Sequence, residues 1–266
     1  MKKIIYTALT GSYDNLCQPD VIDKSFDYIC FSNDIKEDCI GVWKIRRIPF
    51  DNNSKTRVSR YVKILPHRVL PDYDYSLYID ANILIKGNEL YQRIDEAIKR
   101  DVLIAQVNHV VPYWDCIYEE ILHAYRAQKV RFYPAFRQFK HLKKEGMPRH
   151  YGLFENNIIL RKHNDSHVVR ISEDWWNEYM AFSKRDQFSL MYIYWKNNYI
   201  PDLLFKESQC ARNVDFLEVL FHEEKTFNEK LASHTSVSLY ERLKNIIHRG
   251  SYRILKYTLD YNSIIK

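Results

Sequence analysis

Tyr75-Ser76-Leu77-Tyr78-Ile79-Asp80-Ala81-Asn82-Ile83 is the stretch that decides how this chain folds. A short, uncharged, largely apolar run ends in an aspartate and an asparagine one residue apart. Such a run, bounded by polar turn formers, reads as a buried strand. In an open α/β sheet, ligands gather beyond the carboxyl ends of strands. Side chains two apart on an extended strand point the same way. Asp80 and Asn82 are therefore expected to offer oxygens to one hard cation, Mn²⁺ or Mg²⁺, that bridges to a diphosphate. Residues 83–85 are expected to continue the strand.

Working outward, strands and helices alternate. Residues 3–9, 26–31 and 42–48 read as strands, the last closed by Pro49. Residues 54–65 read as a helix with Ser54 at its N-cap and an apolar face at Val58, Tyr61, Val62 and Leu65. Beyond the central strand come a helix at 88–100 and a strand at 102–107. Helices at 115–127 and 132–144, a strand at 156–160, helices at 166–182 and 185–195, and an extended piece at 199–205 follow. This alternation predicts an α/β fold with a mixed, mainly parallel central sheet flanked by helices. No repeat or low-complexity linker interrupts residues 1–235, which read as one domain.

Residues 236–266 differ. Leu239, Leu243, Ile247 and Ile254 sit beside Arg242, Lys244, Arg249, Arg253 and Lys256. The pattern fits a basic amphipathic helical tail, interrupted at Gly250. Such a helix can lie on an anionic membrane or pack on the domain.

Composition narrows the function. With 266 residues the chain can bury a sizeable core. Only six glycines are present, and neither GxGxxG nor GxxxxGK[ST] occurs, which removes the commonest phosphate-loop readings. Five cysteines, at 17, 30, 39, 116 and 210, show no CxxC or Cys/His spacing, so neither a disulfide framework nor structural zinc is expected. A reducing cytoplasm fits, and no run approaches a transmembrane length. A net charge of +6 favours anionic partners such as phosphates or nucleotides. No basic stripe or module of a nucleic-acid protein is seen.

Several residues could carry chemistry. Tyr6, Thr7 and Ala8 end the first strand, and Tyr13 and Asp14 lie in the loop after it. Such a loop can wrap a nucleoside, with Tyr on the base and Asp on ribose or uracil. On the helix at 54–65, Arg57 flanks Arg60 and Lys63, which lie opposite the apolar face and can hold a pyrophosphate. Asp186 opens a helix, where the dipole favours a carboxylate. It can serve as a cap or stand beside the anomeric carbon or the acceptor hydroxyl. His109 follows a strand and can face Glu119 or Glu120.

Taken together the motifs resemble a known family. Tyr6-Thr7-Ala8 with Gly11-Ser12-Tyr13-Asp14, then Asp27–Asp34, Ser59–His67 and Tyr75–Ile83 match in order. Cys116–Glu120, Asn157–Asn164, Trp175-Trp176 and Arg185–Ser189 match later blocks. The set resembles the glycosyltransferase-like family that includes the plant seed-mucilage and turgor-regulation proteins, over about residues 4–195. The resemblance implies a GT-A-like (Rossmann-like) fold, a nucleotide-sugar donor such as a UDP-sugar, and a glycan or lipid-linked acceptor. Bacterial members resemble enzymes of capsule or O-antigen synthesis, a cytoplasmic or membrane-peripheral setting. Asp80 and Asn82 would replace the Asp-x-Asp pair of that fold, an amide being the weaker ligand. A late histidine, His222 or His234, would complete the metal set. Asp186 and Gln187 resemble the Asp-Gln of retaining members. Glu155, Asn156, Asn157 and Arg185 would meet the transferred sugar or the acceptor. A non-catalytic sugar-binding module and a lipid amide hydrolase are the alternative readings.

Overall fold

The computed structural model describes residues 1–11, 16–109, 115–220 and 239–260. Its centre is an eight-stranded sheet. In chain order its strands are β1 (Lys3–Ala8), β2 (Phe26–Phe31), β3 (Cys39–Ile40), β4 (Trp43–Arg46), β5 (Tyr75–Ile79), β7 (Ile104–Asn108), β8 (Phe154–Arg161) and β9 (Asp202–Leu203). The spatial order is β3-β4-β2-β1-β5-β8-β7-β9. β1 pairs in parallel with β2 and β5, β2 with β4, and β7 with β9. Only β3 and β8 run against the rest. The expected mainly parallel sheet is therefore present.

Burial on both faces explains the near-continuous apolar strands. In β1, Ile4 and Tyr6 join one core and Ile5 the other; in β5, Tyr78 faces the first and Leu77 and Ile79 the second. α1 (Lys55–Ile64), α4 (Ile117–Arg126), α5 (Phe132–Glu145), α6 (Ser166–Ala181) and α7 (Leu190–Lys196) bury Val58, Ile121, Phe139, Trp175 and Tyr194 in the first core. α3 (Glu89–Lys99) covers the other face with Leu90 and Ile94. A one-turn helix, α2 (Pro66–Val69), follows α1. α5 ends on Gly146 at φ 83°, a left-handed cap that glycine adopts without steric cost.

Three local expectations need correction. Residues 83–85 do not extend β5. The amide of Ile83 donates to the carbonyl of Asp80, closing a tight turn, and β6 (Ile83–Ile85) pairs antiparallel with β10 (Leu217–Val219) in a separate ribbon. The helix expected at 185–195 splits into a 3-10 turn, Asp186–Phe188, and α7. That turn packs over the face of α1 that carries Arg60 and Lys63 and leaves Lys63 1% exposed. The tail helix α8 (Leu239–Asp260) runs unbroken through Gly250, since one glycine costs a helix only about 1 kcal/mol.

α8 packs on the domain. Leu255 is fully buried, the His248 ring lies 4.4 Å from that of Tyr125, and Lys143 Nζ donates to the Thr258 carbonyl at 2.5 Å. Among the described residues no helix is long and apolar enough to cross a membrane.

Candidate active site

Topology gathers the chemistry on one edge of the sheet. β1, β5 and β7 deliver their carboxyl ends there. β8 runs the opposite way, so its first residues arrive at the same edge. The Asp80 amide donates to the Asn157 carbonyl at 2.9 Å, locking the two together. A cleft of about 590 Å³ opens at this edge. Ala8 to Gly11 form one wall, Lys55, Thr56, Ser59 and Arg60 of α1 another, and Tyr78 with Asp80 to Ile83 the floor. Asn157, Arg185 and Arg212 close it. Four cations, Lys55, Arg60, Arg185 and Arg212, face the single carboxylate of Asp80. Each of the four also pairs with a carboxylate outside this lining, Lys55 with Asp34, Arg60 with Asp186, Arg185 with Glu120 and Arg212 with Glu155, so it is their remaining N–H donors that suit an anionic ligand.

A second recess of about 180 Å³ adjoins it, sharing Arg60, Asp80, Asn157, Arg185 and Arg212. Here the carboxylates Asp80, Glu120, Glu155 and Asp186 balance Arg60, Lys63, Arg185 and Arg212, beside His109, Asn156 and Gln187. Lys63 is the hub. Its Nζ lies 2.6 Å from Asp186 Oδ2, 3.6 Å from Asp80 Oδ1 and 4.8 Å from the centroid of the Tyr78 ring. Arg60 Nε approaches Asp186 Oδ2 at 3.2 Å, and the Tyr78 hydroxyl donates to Asp80 Oδ1 at 2.8 Å. Burial alone would raise the Asp186 carboxyl, but Arg60 and then Lys63 overcome it and hold the group well below the carboxylate range. Its ionisation thus comes from two cations, not from the dipole of a long helix.

The other groups are held in pairs. Arg185 Nη2 donates to Glu120 Oε1 at 2.9 Å. Glu155 pairs with Arg212 and accepts from Asn157 Nδ2 at 2.8 Å. Asn156 Oδ1 accepts from Gln106 at 3.1 Å, and Gln187 donates to the Phe154 carbonyl. Two buried polar atoms on this wall, Asn156 Nδ2 and Asn157 Oδ1, have no hydrogen-bond partner among the described residues. Such atoms ask for a ligand or water. Burial lowers the His109 imidazole below its ordinary 6.5 despite Glu155 and Glu120, so it is neutral at pH 7.

The structure thus brings together Ala8, Arg60, Lys63, Asp80, Ala81, Asn82, His109, Glu155, Asn156, Asn157, Arg185, Asp186 and Gln187. It withdraws three others. Tyr6 is fully buried, with its hydroxyl accepting from Arg161 Nη2 at 2.8 Å. Thr7 is likewise buried, and Arg57 turns away to donate to the Met180 carbonyl at 3.2 Å. Alternation explains Tyr6: inside a doubly covered sheet both faces of β1 are core. Tyr13, Asp14, His222 and His234 lie outside the described residues.

Asn82 does not sit where strand pleating would put it. The turn places it in the cleft, and its Nδ2 donates to the Leu220 carbonyl at 2.9 Å. A carboxylate could not make that bond, which accounts for an amide at this position. With the nitrogen engaged, the amide oxygen remains as an acceptor in the same cleft as the Asp80 carboxylate, two oxygen donors of the kind a hard divalent cation takes. Glu120, named only as a neighbour of His109, proves to hold Arg185. Glu119 turns to Arg149. Lys55, a fourth basic residue of the helix at 54–65, also lines the cleft, whereas Arg212 escaped notice and no local pattern marks it.

The family described as TOD1/MUCI70, glycosyltransferase-like domain, matches residues 12–218. Among curated proteins none matches the chain. Solved structures of similar shape include galactosyltransferase LgtC in complex with donor and acceptor sugar analogs. It is 13% identical, with 91% of this chain and 99% of that one covered and a TM-score of 0.47. Mouse xyloside xylosyltransferase 1 in its apo form is 11% identical, covering 76% of this chain and 84% of that one at a TM-score of 0.42. The apo form of glycosyltransferase GlyE from Streptococcus pneumoniae TIGR4 is 10% identical, covering 99% and 64% at 0.44.

Proposed function

We infer the chemistry from one premise: the chain belongs to the TOD1/MUCI70 glycosyltransferase-like domain family, and its reaction class is glycosyl transfer. The donor in this reading is a nucleotide-sugar, a UDP-sugar by the sequence resemblance. The observation that carries it is the cleft in which Lys55, Arg60, Arg185 and Arg212 surround Asp80 at the carboxyl ends of parallel strands. A diphosphate there meets arginine forks and an ammonium, which stabilise the charge that develops as the nucleoside diphosphate departs. The sugar would then project into the adjoining recess, where Asn156 Nδ2 and Asn157 Oδ1 lack hydrogen-bond partners among the described residues.

Each chain group has a role in this scheme. Asp186, fixed as an anion, positions Lys63 and Arg60 and is too weakly basic to take a proton near neutrality. His109, neutral at pH 7, is the group suited to accept the proton of an acceptor hydroxyl. Asp80 and Asn82 would hold Mn²⁺ or Mg²⁺, which supplies further neutralisation of the diphosphate when bound. The acceptor is a glycan or lipid-linked oligosaccharide of a surface polysaccharide, the setting to which the resemblance points. Peripheral contact with an anionic membrane fits the outer face of α8. There Ile247, Ile254 and Tyr257 are 68%, 53% and 63% exposed beside Arg249, Arg253 and Lys256.

The test is thermal-shift screening of UDP-, GDP- and CMP-sugars with and without Mn²⁺, followed by nucleotide release. A UDP-sugar should raise the melting temperature and be consumed, and Asp80→Ala should abolish turnover in a folded protein. Full turnover by Asp80→Ala would sink the reading.

A further inference from the structure

Three side chains of different chemistry converge where α4 begins, outside the linings of the cleft and its recess. Cys116 is the N-cap residue of α4 and is fully buried. Glu119 lies on its first turn. His150 comes from the loop between α5 and β8. A ligand atom from each, thiol sulfur, carboxylate oxygen and imidazole nitrogen, lies within 4.8 Å of the other two.

Independent features hold this arrangement. His150 Nδ1 lies 2.6 Å from Asp115 Oδ1, so Nδ1–H donates to that carboxylate and Nε2 is the nitrogen left to coordinate. Metal-bound histidines are oriented by such a carboxylate on the far nitrogen. His150 also holds φ 55°, a left-handed conformation that is uncommon outside glycine and that collects at ligand sites. The loop is tied to α4 by the Gly152 amide donating to the Asp115 carbonyl at 2.8 Å. The Tyr118 hydroxyl also donates to the Met147 carbonyl at 2.7 Å.

We propose that Cys116, Glu119 and His150 bind a zinc-class transition metal ion, with Asp115 orienting His150. A thiolate, an imidazole and a carboxylate form a donor set that zinc accepts, with water as the fourth ligand. Around a tetrahedral zinc such atoms stand about 3.5 Å apart, so small side-chain movements from the present spacing suffice. On binding, the Cys116 S–H bond breaks, its proton passes to solvent and an S–metal bond forms, with no redox change. Arg149 Nη2 now lies 3.2 Å from Glu119 Oε1, but both side chains are about one-third exposed, so that pair contributes little and yields readily. The thiolate distinguishes this site from the all-oxygen pair Asp80 and Asn82, which suits hard cations. Bound metal would staple the loop around His150 to the start of α4, the helix whose Glu120 holds Arg185 at the cleft.

The full chain, stripped with a chelator, is titrated with Zn²⁺ against a chromophoric competitor and separately with Co²⁺. One equivalent should bind, and Co²⁺ should show thiolate-to-metal charge-transfer absorption. Cys116→Ser should lose that absorption while Cys39→Ser keeps it. His150→Asn, which tolerates a left-handed backbone at an exposed position, should weaken Zn²⁺ binding by at least about tenfold, and Asp115→Asn by about 10- to 100-fold. Asp80→Ala should leave stoichiometry and absorption unchanged, which separates this site from the donor cleft. Absence of stoichiometric Zn²⁺ binding would overturn the proposal. So would wild-type affinity in His150→Asn, or absorption that persists in Cys116→Ser.

Discussion

Replacing Lys63 with Met removes the ammonium that bridges Asp186 and Asp80 while keeping a chain of similar length in a site only 1% exposed. Asp186 would keep Arg60 at 3.2 Å, and Asp80 the Tyr78 hydroxyl at 2.8 Å, but one buried charge of the cluster would go uncompensated. Breaking a buried pair by removing one partner costs about 3–5 kcal/mol, a large part of a typical total stability. With a urea slope of about 3 kcal/mol per molar, the midpoint should fall by about 1–2 M at pH 7. The loss should depend on pH with a definite sign. The Asp186 carboxyl is held below its ordinary 3.8, so its pairing stabilises the fold above about pH 4 and that contribution disappears as pH falls. Wild type and Lys63→Met should therefore converge in acid. The double variant Lys63→Met/Asp186→Asn should cost less than the sum of the single changes, because the two charges leave together. Urea unfolding curves of the four proteins from about pH 7 down to about pH 2 provide the measurement, because the loss runs from the unfolded value of 3.8 down through the much lower folded one. A loss under about 0.5 kcal/mol at pH 7, or one that does not change with pH, would refute the buried-cluster reasoning.

Other outcomes follow from single contacts. Arg212→Ala should raise the donor dissociation constant about 10- to 100-fold, the worth of one charge-assisted contact, and an unchanged constant by calorimetry would remove Arg212 from the site. Asn82→Asp sets a carboxylate against the Leu220 carbonyl and should speed hydrogen exchange at the Leu220 amide, which Asn82 O accepts at 2.8 Å, by at least about tenfold. Burial raises the Glu178 carboxyl from 4.5 to about 7. Its contribution is complete below about pH 4.5 and fades as pH rises through 7, so Glu178→Gln should flatten wild-type stability between those values by up to about 3 kcal/mol. Ile254→Asp on the outer face of α8 should abolish sedimentation with vesicles rich in phosphatidylserine without altering turnover on a soluble acceptor; retention on the vesicles would remove that face from membrane contact.

The sequence by itself determined the alternation of strands and helices and hence a mainly parallel sheet, because doubly buried strands read as apolar runs and their helices carry 3.6-residue spacing. It also determined the neighbourhood of the site, since Asp80 and Asp186 each stand at an element end where polar residues have reason to be, and Arg60 lies on α1 opposite the apolar face read from the sequence. What it could not determine was which way these side chains turn. Tyr6 and Arg60 both looked like ligand groups, but Tyr6 sits inside a sheet covered on both faces and Arg60 at the edge, a difference set by layers packed from distant segments. The turn at Asp80–Ile83 is fixed by pairing with Leu217–Val219, far along the chain. Antiparallel β8 brings Glu155 to Asn157 to the carboxyl ends of its neighbours, and local periodicity does not encode strand direction. Lys63 and Asp186 form a pair only when α1 meets the turn after α6. Cys116, Glu119 and His150 come together only when the loop after α5 folds back on α4. Backbone pattern is local and legible, whereas a site is built from long-range contacts whose partners become neighbours only after the core has closed.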